Sequence, residues 1–159
     1  MATSTALSSS MSQAIELLDA LSTLLIAERT ALKERDTLNI QSLLEQKSSL
    51  LAELQNNATV RSQLLVDAGY SGDETGMTAC LEALPANAAF ELKQQWQQLK
   101  EKLETCKAAN QVNGTIVHRS QAQLDSLLNI LRGQSGEQQL YTDAGKSASV
   151  GKGHSLAKA

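Results

Sequence analysis

From Leu92 to Leu131 one stripe of positions advances by alternating steps of four and three without a slip. It runs Leu92, Trp96, Leu99, Leu103, Cys106, Asn110, Asn113, Val117, Ser120, Leu124, Leu127 and Leu131. Only a helix brings residues so spaced onto one side, so the second half of the chain is committed to long helix. Unbroken from Asn87 to Arg132, it would reach roughly 70 Å at 1.5 Å per residue. Pro85, the only proline, stands where such a helix can begin, because a first-turn N–H has no partner to lose. The stripe turns polar at Asn110 and Asn113, and Gly114 weakens a helix by roughly 1 kcal/mol relative to alanine. These three residues mark a hinge, with asparagines that fix coiled-coil register as the equal alternative. Beyond them "TIVHRSQAQLDSLLNILRG" is a separate amphipathic unit, with Ile116, Val117, Leu124, Leu127, Leu128 and Leu131 on one broad side and Gly133 as its stop.

The first half repeats the pattern twice. Met11, Ile15, Leu18, Leu25 and Leu32, flanked by Leu17, Leu21, Leu24 and Ala31, form a stripe wide enough for two neighbours, with Ser10 or Ser12 able to cap its start. Asp36 is placed to cap a second helix with a seam of Ile40, Leu44, Leu51, Leu54, Ala58, Leu65 and Ala68, which Gly69 ends. Lys47 and Arg61 fall on that seam, and their long stems suit them to snorkelling from its edge. "GYSGDETG" has the composition of a turn or mobile loop, followed by a short helical piece from Met77 to Ala83. The expected fold is therefore all-α: an antiparallel bundle or coiled coil of three long helices, about 11–34, 36–68 and 86–132. A flexible N-terminus over 1–10 and a disordered tail over 134–159 complete it.

Composition agrees. Hydrophobic residues make up 42 % but aromatics only 3 %, so leucine and alanine carry the apolar mass and sheet formers are scarce. A net charge of −3 without a basic stripe speaks against nucleic acid, and no polybasic patch invites a membrane surface. "MATSTALSSSMSQ" lacks the basic start and apolar run of a signal peptide, and no later run approaches the roughly 20 apolar residues of a membrane span, so a cytoplasmic protein without membrane insertion is expected. Cys80 and Cys106 fit no redox or metal motif and read as free packed thiols.

Chemistry is sparse. "AGKS" resembles the end of a phosphate loop, but Leu140 stands where the earlier glycine is required, and no strand leads in. His118 and His154 belong to no metal-ligand cluster, and no nucleophile has a base beside it. Neither an enzyme nor a cofactor or metal site is expected. What is left is binding to other proteins, for which Ile116 to Leu131 is the evident surface: if the helices before Asn113 make a bundle of their own, these leucines project from it. The alternative is that this stretch packs back on the first helix.

"EQKSSLLAEL" in the second helix, "NQVNGTIVHRSQAQLDSLLNILRG" and "LYTDAGKS" together resemble the FlgN family of flagellar export chaperones, over most of Ala14 to Ser147. The resemblance implies a cytoplasmic chaperone without ATPase activity. It would hold the C-terminal helical segments of the hook-associated proteins FlgK and FlgL, prevent their premature assembly and deliver them to FlhA, the gate of the type III export apparatus. The client-binding part of the family corresponds to Val112–Leu131, with Val117, Leu124, Leu127, Leu128 and Leu131 as contact residues. The gate-docking tyrosine of its tail corresponds to Tyr141. "ASVGKGHSLAKA" and the loop 69–76 correspond to nothing in the family pattern. A rival reading from a different class is a structural coiled-coil protein that self-associates through the long helix and has no client.

Overall fold

A computed structural model of the chain describes residues 2–114 and 118–133. The described residues form five helices: α1 (Ala2–Glu34), α2 (Thr37–Asp67), α3 (Glu74–Glu82), α4 (Ala86–Asn113) and α5 (His118–Arg132). The all-α bundle expected from the periodicity is what forms.

The helix ends follow their local chemistry. Asp36 accepts from the Asn39 amide at 3.2 Å and starts α2. Between α1 and α2 the chain turns through Arg35, a left-handed residue at φ 56, while the Asp36 amide donates back to the Ala31 carbonyl at 3.0 Å. Gly69 at φ 88 follows the end of α2, and Asp73 caps α3 by accepting from the Gly76 amide at 2.9 Å. Pro85 directly precedes α4.

Interhelical contacts set the directions. Asn57 reaches the Ser10 carbonyl and Lys47 reaches Glu28, so α1 and α2 run antiparallel. Ser8 meets Gln95, Cys106 meets the Leu18 carbonyl and Asn113 meets the Leu25 carbonyl, so α4 runs parallel to α1. Lys107 pairs with Asp125 and Arg132 with Glu104, so α5 returns antiparallel to α4. It lies in the groove between α2 and α4, with α1 across the diagonal and α3 packed at its end. The fourth column of the bundle is thus filled in series by α5 and α3.

Three expectations are corrected. The first ten residues are not a flexible leader: α1 begins at Ala2, and Leu7 is fully buried in the core, because Leu7 and Met11 extend the stripe Ala14, Leu18, Leu21 and Leu25 toward the N-terminus. Ser10 and Ser12 consequently lie inside the helix and do not cap it. The third long helix is not continuous: α4 ends at Asn113, and Gly114 takes φ 88 and ψ −173, a conformation open essentially to glycine alone. The unbroken four-three spacing is compatible with this reversal, since both halves of the stripe then face one core. Finally, α1 is long and apolar enough by length and composition to cross a membrane, contrary to the sequence expectation, although its apolar stripe is spent on the bundle. The expected disordered tail, 134–159, lies outside the described residues.

Candidate functional site

The amphipathic unit after the hinge is α5, and its leucines point inward. Leu124, Leu127, Leu128 and Leu131 all belong to the main core, with Leu124 wholly inaccessible. Among the described residues these leucines therefore do not project, and α5 packs on α2, α3 and α4 instead of on α1. Val117 and Tyr141 lie outside the described residues. Val112, on the last turn of α4, is exposed. An open groove of about 450 Å³ runs beside α5, floored by Leu128 and Leu131 and rimmed by Glu74, Lys100, Glu104 and Arg132.

The hinge residues divide into two roles. Gly114 makes the break. Asn110 and Asn113 belong to a buried polar cluster where α1, α2 and α4 meet. Lys47, with no exposed surface, donates to both carboxylate oxygens of Glu28, at 3.1 and 3.0 Å, and to Asn110 Oδ1 at 2.6 Å. Asn113 Nδ2 donates to Glu28 Oε1 at 3.0 Å and to the Leu25 carbonyl at 2.8 Å. Arg29 Nε reaches Asn113 Oδ1 at 3.1 Å. Burial pulls the Lys47 ammonium below its ordinary range, while the Glu28 carboxylate opposes the shift. Glu28 of α1, Lys47 of α2 and both asparagines of α4 meet at one level, so the register alternative for the asparagines describes their surroundings well. Lys47 does not snorkel: its Nζ is held inside by three acceptor atoms.

Arg61, the other seam cation, is also buried rather than peripheral, at 4 % exposure. It lies about four turns further along α2, under α5. Nη1 donates to Asn57 Oδ1 at 2.6 Å, and the guanidinium stands 5.7 Å from the centre of the Trp96 ring. Lys100 Nζ stands 5.8 Å from the same ring and pairs with Glu74 at 2.7 Å. Burial alone pulls Arg61 down to about 10. Trp96 Nε1 is buried and has no acceptor among the described residues.

Sequence reasoning placed Lys47 and Arg61 on the seam but misjudged their depth, and it passed over Glu28 and Trp96 as site residues. The missed signal is arithmetic: Glu28 continues the series Leu18, Leu21, Leu25 by three, and so occupies a core position opposite Lys47. Both cysteines are buried thiols as expected, with Cys106 pushed up to about 11, chiefly by desolvation and then by the nearby Asp19.

Residues 1–149 match the FlgN protein family. Among solved structures, the crystal structure of a flagella synthesis protein FlgN from Pseudomonas aeruginosa is similar at 35 % identity and a TM-score of 0.67, over 80 % of this chain and 96 % of that one. No curated protein matches the chain. A family match along nearly the whole length, joined to a shared helical architecture at that identity, means that this chain belongs to the FlgN family.

Proposed function

We propose that this protein is a cytoplasmic export chaperone of flagellar assembly. It holds the C-terminal helical segments of FlgK and FlgL and passes them to FlhA through a tail anchored by Tyr141. Family membership and the relative described as a flagella synthesis protein support the flagellar role. The observation that carries the client-binding part is the attachment of α5, a short leucine-faced helix joined past Gly114 and seated in the α2–α4 groove. An apolar face of this kind can be shared with a partner helix.

The leucines are covered in the free protein, so client binding proceeds by exchange. Lifting α5 exposes side chains whose burial stabilises by roughly 1.5–3 kcal/mol each, and a client helix inserted between α5 and the groove buries the same faces again. Net affinity is the difference of two similar terms, which suits a complex that must release its cargo. At Tyr141 an aromatic ring with a hydroxyl at its rim is a side chain fit to anchor a weak, reversible contact. Burial of the long stripe of α4 within the chain's own core favours this reading over the self-associating alternative.

The test is calorimetric titration of the full chain with the C-terminal segment of FlgK, with hydrogen exchange followed in the same complex. The expected result is saturable one-to-one binding with altered exchange over 118–132 and little change in α1; Tyr141→Ala retains this binding and weakens FlhA contact. No heat and no co-elution would reject the chaperone reading, while binding with α5 exchange unchanged would move the client surface elsewhere.

A further inference from the structure

Arg61 is a buried charge without an ion-pair partner among the described residues. No carboxylate of those residues lies within ion-pair distance of it, and its Nη1 donates to the neutral Asn57. A buried cation in this condition carries a desolvation cost that an indole face offsets in part. Beside it Trp96 Nε1 is a buried donor with no acceptor among the described residues. Two small cavities, of about 20 and 10 Å³, border the guanidinium, and both are lined on their other side by α5, through Leu127, Ile130 and Leu131. Asp73 also lines the smaller one, but it is held by Ser71 and by the cap of α3. The surroundings thus offer the guanidinium and the indole N–H as donors at the interface that opens when α5 lifts.

We propose that Arg61 and Trp96 form a carboxylate-recognition site beneath α5, completed by an Asp or Glu side chain, or a chain-terminal carboxylate, of the helix that enters the groove. The proposal rests on the chaperone reading and adds its selectivity: the groove takes acidic amphipathic helices in preference to neutral ones. Guanidinium and carboxylate match as a two-pronged pair, and the indole N–H supplies a further donor to the same oxygens. An apolar client side chain at this level would leave the cation unpaired, so discrimination comes from the unmet charge as much as from the new bond. The α5 helix, which presents only Leu127, Ile130 and Leu131 to these cavities, does not satisfy Arg61 and is poised to yield to a helix that does.

The experiment is a four-way titration at fixed salt: wild type and Arg61→Met, each against the FlgK C-terminal segment and against the same segment with its carboxylates neutralised to Asn, Gln and a terminal amide. Wild type is expected to lose about tenfold or more in affinity on neutralisation; Arg61→Met loses a similar factor toward the acidic segment and little further toward the neutral one. Arg61→Met is also expected to melt at the same or a higher temperature than wild type, because an unpaired buried charge has been replaced by an apolar side chain. If wild type binds both segments equally, or if the two losses multiply independently, the carboxylate site is wrong while the chaperone reading stands. If wild type binds neither, the chaperone reading has failed first. A lowered melting temperature with unchanged affinity would make Arg61 a structural cation. If Arg61→Met does not fold, the wild-type comparison of the two segments decides alone.

Discussion

A lysine with no exposed surface is costly unless every proton on it has a partner, and Lys47 shows how the chain meets that demand. Its ammonium has three protons and three acceptor atoms, two on Glu28 and one on Asn110. Removing only the cation leaves Glu28 as an unpaired buried anion. Lys47→Met is therefore expected to lower stability by about 3–5 kcal/mol, measured by urea denaturation. Adding Glu28→Leu should restore a large part of the loss, and the remainder reports Asn110, left without the Lys47 donor at a cost of roughly 1–3 kcal/mol, while Asn113 keeps the Leu25 carbonyl and Arg29. A double variant no more stable than Lys47→Met would mean that the pair is not the main charge balance of the cluster. Arg61, about four turns away on α2, follows the opposite logic, since its removal is expected to leave stability equal or improved.

Among elements, α5 stands apart because a single residue sets its direction. Gly114 adopts φ 88 and ψ −173, and a Cβ there would meet nothing within 4 Å. Alanine would fit the space and still strain the backbone. Gly114→Ala is expected to cost about 1–3 kcal/mol, and hydrogen exchange should show the loss in α5 while α1 and α2 keep their protection; a uniform change through the bundle would deny α5 its separate docking. Both ends of α2 and the start of α4 were legible in the sequence to within about a residue, since Asp36, Gly69 and Pro85 punctuate them by local chemistry. The reversal at Gly114 was only half legible. A glycine announces weakness, but a stripe that continues in phase on both sides gives no sign that the chain folds back. The depth of Arg61 was illegible, because it depends on α5 lying over it.

At the scale of the whole molecule, the N-terminal serines concealed a structural start. Deleting residues 2–10 removes Leu7 from the core, together with the Ser8–Gln95 bond and the carbonyl that Asn57 uses. Loss of one buried leucine alone costs about 2–5 kcal/mol, so the shortened chain should unfold at clearly lower urea, and an unchanged midpoint would return those residues to the role of a leader. The parallel pairing of α1 with α4 has a further consequence for the birth of the protein. Contacts such as Ser8 with Gln95 and Asn113 with the Leu25 carbonyl span 87 and 88 positions. At about 5–20 residues per second of synthesis, α1 and α2 wait several seconds as a hairpin with one apolar flank uncovered before α4 exists to close it. The last described helix to emerge from the ribosome, α5, then docks on a groove already built, so the element proposed to move in the finished protein is also the one whose arrival completes it.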